Sequence, residues 1–189
     1  VITEDVTYTI TFTENTFGYS VQYFYEEVED EDEVETGSGL YGSQVTTYEG
    51  KPRAKYALDR VENLPLTIGA EETENVIRVY YAKDDNEDGT PDKYQVDVTF
   101  KAVNGTFGGT LRETGVKVDL YRWNDASQKW EETEGHLKAE QIPAATADTG
   151  YTGGTWDVTP DVKTVITEDV TYTITFTENT FGYSVQYFY

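Results

Sequence analysis

The sequence predicts a mainly β protein built from two small modules in tandem. Apolar and aromatic residues alternate with polar residues in several short stretches, and this period of two is typical of strands. Helical periodicity is scarce along the whole chain. Residues 84–92 combine glycine, proline and several carboxylates with no large apolar residue, and we place the boundary between the modules there.

The strands follow one another at short spacing. In the first of them Val6, Tyr8, Ile10 and Phe12 share one face, and the intervening threonines share the other. The predicted strands, from the N-terminus, are 6–13, 19–25, 45–48, 76–81, 94–101, 116–123, 129–131 and 170–177.

The segments between these strands are expected to be irregular. Residues 26–35 hold eight carboxylates in ten positions and predict a solvated loop or hairpin arm, because such a run repels itself. Gly37, Gly39 and Gly42 are expected to continue that loop. Residues 51–59 predict a turn or a short helix after Pro52, a polar stretch follows residue 131 as far as Gly154, and Gly153 and Gly154 predict a turn.

Composition and charge exclude several classes of function. The 189 residues include 14 Lys and Arg against 36 Asp and Glu, a formal net charge of −22, which disfavours binding to nucleic acid or to an anionic membrane. Cysteine is absent, which removes disulfides, thiolate catalysis and cysteine-based zinc sites. The aromatic content of 14% predicts a folded chain despite the high charge, because aromatic side chains bury large areas. Methionine is also absent and the sequence begins at Val1, so we expect it to be part of a longer protein.

The most informative feature of the sequence is an internal repeat. Residues 1–25 and 165–189 are identical at every position, and 165 − 1 gives an offset of 164 residues. Either the chain spans one period of a tandem array with an overlap, or one segment has been duplicated by engineering; we favour the array. We call the duplicated stretch the shared segment, and one period of the array a repeat.

Short motifs in each module resemble known bacterial surface domains. The first module resembles the mucin-binding-protein (MucBP) domain, through residues 19–25, Tyr56, Leu58, Asp59 and 75–84. The second resembles the internalin-type B repeats, through residues 94–100, Gly150, Tyr151, 153–157, Pro160 and 169–176. These resemblances imply small β-grasp-like modules in secreted or wall-anchored adhesins, mostly of Gram-positive bacteria. Neither family implies a catalytic set, and the acidic insert at 26–35 departs from the first pattern.

The resemblance also implies a register for the repeat. Strand 165–177 would complete the second module, whereas strand 1–13 would belong to a preceding repeat. We expect one of the unpaired ends to pair with a neighbouring molecule or to be poorly ordered, and removal of 1–13 to leave the melting temperature almost unchanged. The expected organisation is 1–16, last strand of a preceding repeat; 17–83, MucBP-like module; 84–93, acidic linker; 94–177, B-repeat-like module; and 178–189, start of the next repeat.

The acidic linker contains a candidate calcium site. Calcium prefers six to eight oxygen ligands, which alternate residues of a coiled loop supply, and Gly89 stands at position 6, where the loop must turn sharply. Gln95 replaces the bidentate Glu expected at position 12, so we expect weak affinity. The alternative is an acidic, proline-containing linker that binds no ion. The candidate ligands, at positions 1, 3, 5, 7 and 9 of the pattern, are Asp84, Asn86, Asp88, Thr90 and Asp92.

The remaining candidate residues favour structure over chemistry. His136 is the single histidine and no Gly-x-Ser-x-Gly motif is present, so we do not expect an enzyme. Trp123, Trp130 and Trp156 could stack on sugars, although we favour a role in the core of a module that is poor in Leu and Ile.

The sequence and the resemblance together lead to two expectations. The first is a structural spacer that projects a distal binding region from the cell surface, with adjacent identical repeats as its partners. The second is a low-affinity repeat that binds host mucin or glycans and acts by avidity.

Overall fold

The computed structural model describes residues 4, 5 and 7–189, and it confirms the prediction of a mainly β chain made of small modules. The chain divides into two compact units, Val1–Gly89 (unit 1) and Thr90–Tyr189 (unit 2). In the described residues every helix is a 3-10 helix of three residues. None of these has the length and hydropathy needed to cross a bilayer.

Unit 1 is built on a mixed sheet in which the first and last strands are adjacent. β1 lies parallel to β7, and β5 pairs antiparallel with the other edge of β7. β2 and β3 both pair antiparallel with β1, while β4 and β6 form a small separate ladder. The strands are β1 (Thr16–Tyr25), β2 (Val28–Glu29), β3 (Glu35–Leu40), β4 (Gln44–Val45), β5 (Tyr56–Glu62), β6 (Leu66–Thr67) and β7 (Val76–Lys83).

Tyrosines supply much of the core of unit 1. Tyr23, Tyr25 and Tyr81 are buried among aliphatic residues of β1, β6 and β7. The Tyr23 hydroxyl donates to the Glu49 carbonyl oxygen at 2.5 Å, and the Tyr25 hydroxyl donates to the Lys51 carbonyl oxygen at 2.6 Å. Burial raises the pKa of both phenols above the ordinary value. The rings therefore fill the core while their hydroxyls bind the 49–51 segment at its rim.

The loop predicted at Gly37 and Gly39 is a strand, so that prediction was wrong, whereas Gly42 lies in a turn. Residues 35–40 form β3, which pairs with β1 from Thr16 to Val21. A Cβ atom at Gly37 would lie 2.5 Å from the Tyr19 ring, so glycine lets the tyrosine pack across the strand. Strand periodicity cannot be seen in this sequence because residues 35–39 carry no apolar side chain and Leu40 alone gives no alternation.

The acidic run at 26–35 includes a hairpin arm, which was one of the two expectations, because β2 pairs antiparallel with β1. The run contains β2, a 3-10 helix at Glu31–Glu33 and the start of β3. Arg53 pairs with Asp30 and lies 3.8 Å from the centroid of the Tyr25 ring, and Lys51 pairs with Glu35 at 3.0 Å. These two basic side chains offset part of the repulsion within the run.

Unit 2 has a second mixed sheet in the order β10-β8-β15-β14, with β8 and β15 parallel. β11 and β12 form a hairpin, and β9 pairs with β13. The core lies between the main sheet and the β9–β13 ladder, and includes Phe100, Phe107 and Phe176. The strands are β8 (Gln95–Val103), β9 (Gly105–Phe107), β10 (Glu113–Asp119), β11 (Tyr121–Asn124), β12 (Lys129–Glu132), β13 (Ala145–Ala147), β14 (Tyr151–Trp156) and β15 (Val170–Glu178).

Two predictions for unit 2 were wrong. The single strand predicted over 116–123 is divided at Leu120 into β10 and β11, which belong to different sheets. The turn predicted at Gly153 and Gly154 lies within β14, and the polar stretch before it contains β13. A Cβ atom at Gly154 would lie 2.7 Å from the Phe176 ring, so β14 uses glycine where that ring packs against it.

Candidate functional site

The two copies of the shared segment have opposite structural roles in their first halves. In the second copy residues 170–178 form β15, between β8 and β14. In the first copy residues 7–14 form no strand, and Val6 lies outside the described residues. Tyr172, Ile174 and Phe176 are 3%, 7% and 7% exposed, whereas the matching residues of the first copy, Tyr8, Ile10 and Phe12, are 84%, 76% and 83% exposed.

The second halves of the two copies show the reverse arrangement. Residues 16–25 form β1 of unit 1, whereas residues 180–189 form no strand. Tyr23 is fully buried, while its counterpart Tyr187 is 78% exposed. Because the sequences are identical, the presence of neighbouring strands, and not local propensity, decides where each half becomes a strand. The strand predicted over 6–13 is therefore not formed at residues 7–13, because none of the strands in the described part of the chain pairs with them.

The acidic loop is organised around a buried carboxylate. Asp84 is only 3% exposed, and its two carboxylate oxygens accept hydrogen bonds from the Asp88 and Gly89 backbone N–H groups at 3.1 and 2.8 Å. The Asn86 side-chain amide donates to Asp88 Oδ2 at 2.8 Å. Gly89 has a φ of +90°, a conformation that favours glycine. Asp84 thus closes a turn at the end of unit 1.

Lys55 and Lys117 contact other acidic residues of the loop. The Lys55 backbone N–H donates to Glu87 Oε1 at 3.1 Å, and its ammonium group lies 3.9 Å from an Asp85 carboxylate oxygen. Within unit 2, Asp92 starts a 3-10 helix and pairs with Lys117 at 3.5 Å. Across residues 4, 5 and 7–189 no group of three or more His, Cys, Asp or Glu side chains is arranged to hold a metal.

Four aromatic residues form a cluster at the β11–β12 hairpin of unit 2. The Tyr94 and Trp130 rings stack with centroids 4.9 Å apart, and Trp123 meets Trp130 edge-on at 5.6 Å. Tyr121 lies 5.0 Å from Tyr94, and Tyr94 and Tyr121 are members that the sequence analysis missed. The signal available was the position of Tyr121 two residues before Trp123 in one predicted strand; Tyr94 begins the predicted strand 94–101, which carries no tryptophan and gave no such signal. We call these four residues the aromatic hairpin.

A surface cavity lies beside the aromatic hairpin. Its volume is about 490 Å³ and its walls are mostly polar. Trp123 forms an aromatic wall of the cavity, and Arg122, Asn124 and Glu131 add hydrogen-bonding groups. The third tryptophan, Trp156, packs against Phe100 and Phe107 in the core of unit 2. The tryptophans therefore divide between core packing and a half-buried surface cluster.

His136 has a structural environment. Its Nδ1 atom lies 3.1 Å from the Thr164 carbonyl oxygen, and its Nε2 atom lies 3.4 Å from a Glu134 carboxylate oxygen. The adjacent Gly135 forms a bridge with Ile166. These contacts tie the segment around residue 135 to the segment that precedes β15.

The chain matches no known protein-family model, and a search of curated proteins likewise finds no similar sequence.

Proposed function

We propose that this chain is a structural spacer repeat of a secreted or wall-anchored bacterial surface adhesin, and that it holds a distal binding region away from the cell. The observation that carries the proposal is the division of the shared segment. One half is a core strand of unit 2 and the other half is a core strand of unit 1, although the same 25 residues are present at both ends. A segment that completes one unit and begins another is what a continuous array requires.

Charge and size support the spacer role. A unit of this length has a radius of gyration of about 13 Å, so each repeat adds some tens of ångströms to an array if its units extend end to end. The net charge of −22 keeps neighbouring arrays apart and soluble. We propose an extracellular, cell-wall-attached location with adjacent repeats as the main partners, and we expect no catalytic activity.

The second candidate function is weak binding of mucin or other glycans, and the aromatic hairpin favours it. Trp123 forms one wall of a cavity whose other walls carry a guanidinium, an amide and carboxylates. Sugars bind by stacking on aromatic faces while polar groups hydrogen-bond their hydroxyls. A single shallow site would bind weakly, and many copies in one array would give avidity.

Binding to immobilised mucin and a glycan panel separates the two functions. We suggest an array of three repeats, its Trp123→Ala variant, and a Tyr41→Ala control that removes an exposed aromatic from unit 1. The spacer role predicts no saturable binding by any of the three. Binding that free sugar competes away, and that Trp123→Ala abolishes while Tyr41→Ala does not, would favour the glycan-binding function.

We also propose that residues 84–92 bind Ca²⁺ weakly through Asp84, Asn86, Asp88, Thr90 and Asp92. The spacing of oxygen donors and the concentration of carboxylates support this, because an ion would offset their mutual repulsion. Each oxygen of the Asp84 carboxylate accepts one backbone hydrogen bond and keeps a second lone pair, so the ion would bind without displacing either hydrogen bond.

Calorimetry tests the calcium site. Titration to about 5 mM Ca²⁺, the upper part of the range for extracellular modules, should release heat that Asp88→Asn reduces. Asp125→Asn removes an exposed acid from another loop and should bind like the unmodified chain. Absence of heat in all three proteins would leave an acidic linker without an ion.

A further inference from the structure

We propose that residues 180–189 form a strand that docks into the β1 groove of unit 1 in a second copy of this chain. The groove is the space between β7 and β3 that β1 occupies, and residues 180–189 have the same sequence as β1. The large apolar side chains of this segment are exposed, including Phe181, Val185 and Phe188. Residues 180–189 thus form no strand in the structure, while the identical sequence in β1 pairs with β7 and β3.

The β1 groove requires particular side chains at particular positions, and residues 180–189 have them. It buries Val21, Tyr23 and Tyr25, at 2%, 0% and 7% exposure, and it binds the two tyrosine hydroxyls at carbonyl oxygens of Glu49 and Lys51. The corresponding residues of the C-terminal copy are Val185, Tyr187 and Tyr189. Backbone pairing is available on both sides, parallel to β7 and antiparallel to β3.

The lack of charged side chains in residues 180–189 permits the approach of two strongly acidic molecules. Residues 180–189 contain no Asp, Glu, Lys or Arg, although the chain as a whole has a net charge of −22. The docking strand therefore adds no side-chain charge to the acidic surface of the acceptor. Its burial also removes a row of exposed aromatic residues from water.

Competition with the acceptor's own β1 decides when docking is observed. The two strands make identical contacts, so the difference between them is the tether: β1 is attached to unit 1 and has an effective concentration on the order of millimolar. The groove therefore binds residues 180–189 of a second copy when the acceptor's own β1 is destabilised. In an array, the groove of a following repeat would be filled by the shared segment itself.

In an array, the strand formed by residues 180–189 would follow β15 directly at the junction between two repeats. This step rests on the proposed function as a repeat. β15 ends at Glu178 and the docking strand begins at Thr180, so only Asn179 separates them. The Asn179 backbone N–H already donates to the Gly150 carbonyl oxygen at 2.7 Å. Consecutive repeats would be joined by one hydrogen-bonded residue and not by a flexible linker.

A matched pair of substitutions in the full chain tests the docking. Tyr23→Asp places a charge at a fully buried position of β1, and Tyr187→Asp makes the same change at the exposed counterpart. We expect Tyr23→Asp to associate head-to-tail, with an apparent molar mass in light scattering that rises with concentration and roughly doubles or more. In Tyr23→Asp, amide hydrogen exchange at β7 should slow as the concentration, and with it the apparent molar mass, rises. Tyr187→Asp should remain monomeric, and the double variant should remain monomeric with an unprotected β7.

A mixing experiment keeps the test decisive if Tyr23→Asp precipitates or self-associates heterogeneously. The double variant is an acceptor without a donor, so unmodified chain should form a one-to-one complex with it, whereas Tyr187→Asp should not. Absence of that complex would overturn the proposal. A monomeric Tyr23→Asp with a protected β7 would also overturn it, because the second copy would then be unnecessary. Neither result depends on whether a long array is extended, which tests the spacer function separately.

Discussion

Substitution of Phe176 and Phe12 by alanine compares one chemical change in two environments. The residues occupy equivalent positions of the shared segment, yet Phe176 is 7% exposed and Phe12 is 83% exposed. The Phe176 ring lies against two glycines: a Cβ atom would approach it to 2.4 Å at Gly105 and to 2.7 Å at Gly154. Glycines have no side chain that could move into the space that the ring leaves.

This packing sets the expected magnitudes. Removal of a buried phenylalanine ring costs about 3–5 kcal/mol, and we expect about 4 kcal/mol for Phe176→Ala because the cavity cannot be refilled. At about 4–8 °C per kcal/mol for a domain of this size, the melting temperature of unit 2 should fall by about 15–30 °C. Phe12→Ala removes an exposed ring and should change the stability by less than about 0.5 kcal/mol.

Tryptophan fluorescence isolates the unit concerned. The three tryptophans, at positions 123, 130 and 156, all lie in unit 2, so their emission during thermal unfolding reports that unit alone. Equal shifts for the two variants would refute the assignment of residues 170–178, and not 7–14, to the core strand. A shift below about 2 °C for Phe176→Ala would refute the packing argument.

Two further predictions concern unit 1, with hydrogen exchange at β7 as the measurement. Gly37→Ala should destabilise unit 1 by about 1–3 kcal/mol because its Cβ atom would overlap the Tyr19 ring, whereas Gly182→Ala, with no atom within 4 Å, should leave β7 exchange unchanged. Burial opposes ionisation of Glu35, but its pair with Lys51 prevails and holds the pKa of that carboxyl below the ordinary 4.5. A depressed pKa stabilises the folded state above the unfolded value and loses that contribution as the pH falls through the folded value. Glu35→Gln should therefore reduce the loss of protection below about pH 4.5; an unchanged acid profile would show that the pair contributes nothing.

Strands rich in β-branched and aromatic residues could be located from the sequence, whereas the glycine-containing β3 and β14 could not, and β5 fell partly in the stretch 51–59, where a turn or short helix was expected. β7 and β15 follow runs of β-branched and aromatic residues, which a pleated surface favours. β3 and β14 contain glycines where the Tyr19 and Phe176 rings pack, and those rings come from other strands. Such tertiary packing leaves no local pattern in the sequence.

The shared segment shows the limit of local sequence most directly. Residues 7–13 have the same alternation as residues 171–177, and only the latter form a strand. The difference lies in β8 and β14, which flank β15 and satisfy its backbone groups. An internal repeat revealed that the two ends were related, but strand formation depended on distant partners.

The candidate sites were predicted in part. The sequence indicated an acidic loop at the boundary and Gly89 as its turning point, and the positive φ of Gly89 agrees with a sharp turn there. The sequence did not indicate that the Asp84 carboxylate accepts hydrogen bonds from two backbone N–H groups. A carboxylate that closes a turn and a carboxylate that binds an ion have the same sequence pattern. The aromatic hairpin depends on the approach of Tyr94 to β11 and β12, which is a tertiary contact.

Small-angle scattering from arrays of one, two and three repeats tests the spacer function most directly. The proposal predicts that each added repeat increases the maximum dimension by a nearly equal step of some tens of ångströms, as in a rod. A radius of gyration that follows the compact-globule relation, about 2.2·N^0.38 Å for N residues, would contradict it. The repeats would then pack on one another and could not hold a distal region away from the cell.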